Sequence, residues 1–155
     1  MASGHIRPSE VEDCEIIADN MRPEDVAEVW AANHTSPLEA MYLGFVNSNP
    51  PMTIIKDPDI PVGMFGSIPV HFGDPKIGGV WLLGTEGIWD VRYQFLRESR
   101  RWLKKVSEDY DLIYNVIDKR NELHIRWLKW LGFVFLKEMP EYGPDKLPFY
   151  EFVRI

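Results

Sequence analysis

Cysteine, long apolar runs and basic residues are all scarce in this chain. Cys14 is the single cysteine, which excludes an internal disulfide and is typical of proteins in a reducing compartment. No stretch approaches the roughly 18 consecutive apolar residues that a membrane-spanning helix needs. The N-terminal sequence MASGHIRPSE also lacks the apolar segment of a secretory signal. We therefore expect a protein without a membrane span, in which Cys14 is an inert thiol within the core.

The charge balance argues against nucleic acid as a partner. Lys and Arg number 17 against 24 Asp and Glu, which gives a formal net charge of −7, and no basic tail is present. Because neutralisation of phosphates supplies most nucleic-acid affinity, an acidic chain is expected to bind other partners. Six Trp, six Tyr and eight Phe are many for this length, and some are expected to form a contact surface for a protein. No sequence pattern indicates a metal site, a P-loop or a Cys–His–Asp catalytic group.

Apolar spacing and turn residues predict one domain over residues 1–155, built from alternating strands and helices. Short apolar or alternating runs predict strands at 5–8, 52–55, 60–70, 80–83, 112–116, 133–136 and 149–153. Helices are predicted after a Ser9/Glu12 capping box, from Pro23, over 38–45, from Val91 to about Asp109, and between Asn121 and Gly132. Asp90 is expected to cap the long helix, and 140–148 is expected to be a loop.

The segment 115–133, NVIDKRNELHIRWLKWLGF, carries the most informative pattern. It predicts a strand end, a polar turn, a helix with one apolar face, a left-handed Gly132 at the helix end, and then an aromatic strand. Asn121, Gly132 and Phe133 are spaced as in the last motif of the GCN5-related N-acetyltransferases (GNAT family), which this segment resembles. Two positions depart from that motif. His124 replaces a small residue, and Leu128 replaces the tyrosine that in many members protonates the departing thiolate.

The order of predicted elements also resembles the GNAT fold over essentially the whole chain. The resemblance implies an α/β (α+β) domain with one mixed, mostly antiparallel sheet of about six to seven strands and helices on both faces. It further implies acetyl-CoA or CoA as a cofactor, with the pyrophosphate at the start of the long helix, where amides and the helix dipole favour anions. The usual Arg/Gln-x-x-Gly-x-Gly/Ala loop is absent, since the corresponding segment, 84–92, reads GTEGIWDVR.

The resemblance yields two groups of candidate residues. The cofactor-binding candidates are Leu83, Gly84, Arg92, Arg97, Asn121 and Lys129. The candidate catalytic bases, which would remove a proton from an attacking amine, are Glu86, His71 and His124. The alternative interpretation of each is structural: a solvated basic helix face, a polar loop residue or, for His124, a hydrogen-bonded core histidine.

A closer resemblance is to small GNAT-like proteins of short-tailed lytic bacteriophages, the internal virion protein A family. The stretches that carry it are MRPEDVAEVWAA, PVGMFGS, VWLL followed by EGIW, and DYDLIYNVIDKRNELHIRWLKWLGFVF. The resemblance implies expression in the cytoplasm of an infected bacterium and allows packaging in the virion. Two functions stay open: N-acetylation of an amine on a host protein or metabolite, and non-catalytic binding to a host enzyme or a phage virion protein.

Overall fold

The computed structural model describes residues 3–155, and its seven strands join one sheet. The strands are β1 (Gly4–Pro8), β2 (Met52–Lys56), β3 (Ile60–His71), β4 (Ile77–Gly84), β5 (Leu112–Asp118), β6 (Val134–Tyr142) and β7 (Leu147–Arg154). They lie in the order β1-β2-β3-β4-β5-β7-β6, and β4 and β5 form the one parallel pair among these neighbours. The predicted mixed, mostly antiparallel sheet is confirmed.

Five helices cover the two faces of this sheet. They are α1 (Val11–Asp19), α2 (Pro23–Asn33), α3 (Pro37–Asn47), α4 (Arg92–Ser107) and α5 (Glu122–Trp130). Because successive strand residues point to opposite faces, Leu83 packs with residues of α1 and α3, whereas Leu82 packs with residues of α4 and α5. Cys14 lies in the α1 layer, and burial raises the pKa of its thiol to about 11, as expected of an inert core residue.

The parallel strands β4 and β5 stay together only at their first residues. Their register is limited to Ile77 with Leu112, Gly78 with Ile113 and Gly79 with Tyr114. Just beyond, the Asn115 side-chain amide donates to the carbonyl of Val80 over 2.7 Å. From there the strands diverge and leave a cleft between the β1–β4 half and the β5–β7 half of the sheet.

The start of the long helix differs from the prediction. A 3₁₀ turn over Glu86–Val91 precedes α4, whose N-cap is Val91 with no side-chain cap. Ile88 and Val91, three residues apart, are both buried in the core, which favours the three-residue period of a 3₁₀ helix. The Asp90 carboxylate does not cap the helix and instead binds the Lys56 ammonium at 2.8 Å.

Two further boundaries differ from the sequence prediction. The strand predicted to end at residue 136 continues as β6 to Tyr142, through Pro140. Because β6 is an edge strand with an irregularity between Met139 and Tyr142, the missing proline N–H removes no regular ladder bond. The first capping box is formed by Glu10 and Asp13 rather than Ser9 and Glu12. The left-handed Gly132 is confirmed, with φ of 91°.

Candidate functional site

A buried polar network lies where the two halves of the sheet separate. It consists of Arg22 just before α2, Asp25 in the first turn of α2, and Asn121 and His124 at the start of α5; none of the four is more than 5% exposed. These side chains bond mainly to one another, because a buried unpaired charge is strongly unfavourable, although Nε of Arg22 and Oδ1 of Asn121 have no hydrogen-bond partner among the described residues. The network therefore forms only when α2 and α5 are brought together.

Asp25 joins three separate elements through its two carboxylate oxygens. Oδ1 accepts from Nη1 of Arg22 at 3.1 Å and from the side-chain amide of Asn121 at 3.0 Å. Oδ2 accepts the backbone N–H of Gly84 at 3.0 Å, at the end of β4. Arg22 also donates its own backbone N–H to the Gly84 carbonyl at 2.9 Å. The first turn of α2 is thereby fixed to β4 on one side of the cleft and to α5 on the other.

Both ring nitrogens of His124 face hydrogen-bond donors of this network. Nε2 lies 3.1 Å from Nη1 of Arg22, and Nδ1 lies 3.3 Å from the side-chain amide nitrogen of Asn121. Because a neutral imidazole accepts at one nitrogen and both partners can only donate, the lone pair faces a donor in either tautomer. Burial lowers the pKa of His124, so the ring is neutral, and its lone pair is already used. His124 is therefore the hydrogen-bonded core histidine of the structural alternative.

Glu28 lies one turn further along α2, at the wall of the cleft. One of its oxygens accepts the backbone N–H of Asp118 at 2.9 Å. Burial, and then the charge of Asp25, raise the pKa of Glu28 to about 8. The cleft has a volume of about 310 Å³ and is largely apolar, with Trp81 and Leu83 of β4 and Val116 of β5 among its walls. It presents the Glu28 carboxyl group within a largely apolar recess.

Four backbone amides at the junction of β4 and the 3₁₀ turn are engaged within the protein. The N–H of Gly84 binds Asp25, and the N–H of Thr85 donates to the Val62 carbonyl at 2.8 Å. The next two bonds close the 3₁₀ turn: the N–H of Gly87 binds the Thr85 hydroxyl at 3.1 Å, and that of Ile88 binds the Thr85 carbonyl at 3.2 Å. Amides that already have internal acceptors cannot also cradle an anion.

The charges around this turn disfavour a pyrophosphate as well. Glu86 and Asp90 are exposed acids in the turn, and Lys56 holds the pKa of Asp90 below its usual range, so that carboxylate is charged. The nearest basic candidate, Arg92, donates to the carbonyl of Trp89 and lies against the ring of Tyr93, 4.7 Å from its centre. The residues of this segment therefore do not fit the pyrophosphate of CoA.

The structure does not bring the candidate bases together. Glu86 follows the end of β4, whereas His71 pairs with Ile77 at the beginning of that strand. At about 3.3 Å per residue, the length of β4 puts roughly 20 Å between them. The exposed His71 ring binds the carbonyl of Pro75 at 2.8 Å, and His124 is enclosed in the buried network.

The cofactor-binding candidates are likewise dispersed. Leu83 lines the cleft, while Gly84 and Asn121 are bound to Asp25. Arg97 and Lys129 are exposed on α4 and α5, and the Lys129 ammonium lies 5.3 Å from the ring centre of Phe135. Their assignment to a cofactor stays a prediction.

Sequence reasoning did not find Arg22, Asp25 and Glu28 as site residues. In the sequence, Asp25 has the position of an ordinary first-turn acid that is favoured by the helix dipole. Its partner Asn121 is 96 residues away, so no local spacing reveals the pair. Among residues 3–155 no group of three or more His, Cys, Asp or Glu side chains is placed to hold a metal ion. No helix in that range is long and apolar enough to cross a membrane.

The two acids that contact Arg22 provide a matched test of the network. Asp25→Ala should destabilise the protein by about 3–5 kcal/mol, because it leaves the buried Arg22 guanidinium without its fully buried partner. Glu24→Ala should cost less than about 1 kcal/mol, since Glu24 is 45% exposed and 3.3 Å from Arg22. Urea unfolding at neutral pH measures both. Equal losses for the two variants would show that burial does not govern this network.

Glu28→Gln should reduce the dependence of stability on pH. In the folded state the pKa of Glu28 is about 8, whereas an unfolded glutamate titrates near about 4.3. The folded protein therefore binds an extra proton between these values, and wild-type stability falls as pH rises through that window, by at most about 1.4 kcal/mol per unit. Glutamine keeps an acceptor for the Asp118 amide but does not titrate. Parallel pH profiles of the two proteins in urea unfolding would refute the assignment.

Comparison with solved structures shows the GNAT fold. A GNAT-family acetyltransferase from Bacillus anthracis superposes with a TM-score of 0.70 at 13% identity, covering 100% of this chain and 96% of that one. A GCN5-related N-acetyltransferase from Kribbella flavida gives 0.70 at 15% identity over 98% and 97% of the two chains. YncA from Salmonella typhimurium, whose structure contains its cofactor acetyl-CoA, gives 0.62 at 14% identity over 98% and 93%. Identities this low establish the fold alone.

Sequence comparison points to bacteriophage. The protein described as probable scaffold protein gp13 of Escherichia phage T7 is 27% identical over 124 residues, which cover 77% of this chain and 86% of the phage protein. The sequence profile of the corresponding family, described as bacteriophage T7 probable scaffold protein Gp13, matches residues 62–140. That range runs from β3 through the 3₁₀ turn and α5 into β6, and it makes up half of the chain. The chain belongs to the family of the bacteriophage T7 probable scaffold protein Gp13.

Proposed function

We propose that this protein is a non-catalytic member of the GNAT fold that serves phage particle assembly by binding other proteins. The observation that carries the proposal is the closed 3₁₀ turn between β4 and α4, where the GNAT resemblance implies a pyrophosphate site. The description of its family as probable scaffold proteins supports the same role. The proposed location is the cytoplasm of the infected bacterium, followed by the assembling particle.

Loss of a phosphate site removes the main electrostatic anchor for CoA. An anion at a helix start is stabilised by free N–H groups and the helix dipole. Here the amides of Gly84, Thr85 and Gly87 have internal acceptors, and Glu86 places an exposed carboxylate in the same turn. A pyrophosphate would have to break those bonds and approach that carboxylate. Both changes disfavour binding.

The groups at the cleft supply only part of an acid–base pair. A general base near neutral pH needs a free lone pair within reach of the substrate. The lone pair of His124 faces the donors Arg22 and Asn121, whereas Glu28, with its pKa raised to about 8, lies in the range of a general base. Leu128, at the position of the tyrosine of the GNAT motif, is a buried core residue and supplies no acid. Glu28 therefore has no acidic partner beside it.

The alternative function, acetyl-CoA-dependent N-acetylation of a host protein or metabolite, is favoured by one observation. The cleft between β4 and β5, with its volume of about 310 Å³, is retained even though the turn beside it is closed. In the proposed binding role the same apolar recess accommodates an apolar side chain of a partner protein. Phage structural proteins are the proposed partners, and a host protein is the second option.

Acetyl-CoA should not raise the melting temperature of this protein. A ligand present at 100 times its dissociation constant stabilises the folded state by about 2.7 kcal/mol, which is a shift of several degrees. We expect no shift at about 1 mM acetyl-CoA, because the closed turn offers no phosphate site. An active GNAT enzyme melted under the same conditions serves as the positive control. A dose-dependent rise for this protein would overturn the non-catalytic proposal and favour the acetyltransferase alternative.

A further inference from the structure

The helices on the two faces of the sheet expose opposite charge. Helices α1, α2 and α3 contain eight Asp and Glu and no Lys or Arg. Five of these acids are exposed: Glu12, Glu15, Asp19, Glu24 and Glu39. Helices α4 and α5, on the other face, contain eight of the 17 Lys and Arg of the chain and two acids. Although the net charge is −7, acidic and basic side chains are therefore separated on opposite faces of the sheet.

The basic face consists of exposed cations on α4 and α5: Arg97, Arg100, Arg101, Lys104, Lys105, Arg126 and Lys129. Within residues 3–155 the one salt bridge on this face joins Arg101 to Glu98, at 3.4 Å. Arg100 stacks 4.2 Å above the ring of Trp130 and donates to its carbonyl at 3.3 Å, which connects α4 to the end of α5. The basic face is thus continuous over both helices and short of internal counter-charges.

The acidic face is formed chiefly by α1, with the exposed carboxylates Glu12, Glu15 and Asp19. None of the three has a salt-bridge partner in the part of the chain that the structure describes. Two apolar side chains lie among them: Val11 is 47% and Ile16 is 42% exposed. Unpaired charge beside exposed apolar surface is typical of a protein contact surface rather than of a merely solvated helix.

The basic face has exposed apolar surface of its own. Tyr93 on α4 is 51% exposed, and Trp130 at the end of α5 is 44% exposed. Aromatic and arginine side chains are enriched at protein interfaces. The two faces are therefore complementary in charge and alike in offering apolar contacts.

We infer that the acidic face of one copy of this chain docks on the basic face of a second copy. The two faces lie on opposite sides of the sheet, so the contact is head-to-tail and leaves one acidic and one basic face free at the ends. Such heterologous contacts propagate into rings or open filaments rather than stopping at a dimer. The inference rests on the proposed binding function, for which it names one partner.

Nucleic acid fits the molecule less well than a second copy does. Phosphates would be attracted to the basic face, but the remainder of the chain carries 22 of the 24 acidic residues and repels them. A second copy supplies carboxylates and apolar side chains together, which a phosphate backbone does not.

Charge-reversal variants of the full chain test the inference by sedimentation velocity over a concentration series. The basic-face variant is Arg97→Glu with Lys104→Glu, and the acidic-face variant is Glu12→Lys with Glu15→Lys. All four side chains are exposed, so the fold should be retained, and thermal melting checks this. We expect wild type to associate, more weakly as salt is raised above about 0.1 M, and each variant to associate at least about tenfold more weakly.

An equimolar mixture of the two variants should associate again. The basic-face variant retains its acidic face and the acidic-face variant retains its basic face, so the native contact forms between them. Two exposed lysines that belong to neither set of face residues, Lys76 and Lys137, provide a control with the same charge change as the basic-face variant. Lys76→Glu with Lys137→Glu should associate as wild type does.

Any of three sedimentation results would overturn the inference: wild type that stays monomeric at all concentrations, a control that associates as weakly as the basic-face variant, or a mixture that fails to associate. Binding of double-stranded DNA to the basic face without self-association would also overturn it and make nucleic acid the partner. Failure of the inference is distinguishable from failure of the proposed function, because the acetyl-CoA melting experiment does not depend on self-association.

Discussion

The structure depends on the carboxylate of Asp25, which holds the two halves of a divided sheet together. Beyond Gly79 no backbone ladder joins β4 to β5. Asp25, fully buried in the first turn of α2, binds the end of β4 through the Gly84 amide and the start of α5 through Asn121. Burial makes these charge-assisted bonds strong and also makes them obligatory, since neither Arg22 nor Asp25 can reach water if its partner is lost.

The same network also fixes the direction of the chain between β4 and α4, beside the cleft. Arg22 and Asp25 engage both backbone groups of Gly84, so the chain leaves β4 in a fixed direction. It then enters a 3₁₀ turn that is anchored by the buried side chains of Ile88 and Val91. A phosphate-binding loop needs glycines and free amides, whereas this turn uses apolar anchors and internal bonds. The segment between β4 and α4 is thus a structural turn, beside which the cleft remains open.

The fold was predictable from the sequence because its signals are local. Helical spacing in α5, Gly132 at its end and the aromatic strand beyond lie within some twenty residues, and each has a strong conformational preference. The ends of helices and strands were less predictable where tertiary packing determines them. The burial of Ile88 and Val91 favours a 3₁₀ turn before the long helix, where Asp90 was expected to act as its cap, and edge-strand geometry allowed β6 to continue through Pro140.

The site was less predictable because its bonds are distant in sequence. Arg22 and His124 are 102 residues apart, and Asp25 and Gly84 are 59 residues apart. Family resemblance directed attention to Glu86, His71 and His124 as bases, but resemblance transfers positions and not the hydrogen bonds that decide whether a lone pair is free. The absent glycine pattern in 84–92 was the one local signal of a changed site. It indicated that the usual phosphate loop is absent but did not predict the 3₁₀ turn found at that position.

Native-state hydrogen exchange of the amides from Gly84 to Ile88 tests most directly whether a structural turn has replaced the phosphate site. If these N–H groups are engaged within the protein, those of Gly84, Thr85, Gly87 and Ile88 should exchange only through unfolding that also exposes the core strands, with protection close to that of the β3–β4 ladder. Fast exchange at these four positions, while β3 and β4 stay protected, would show that the amides are open to solvent. The segment would then be available to a phosphate, which contradicts the closure of the site.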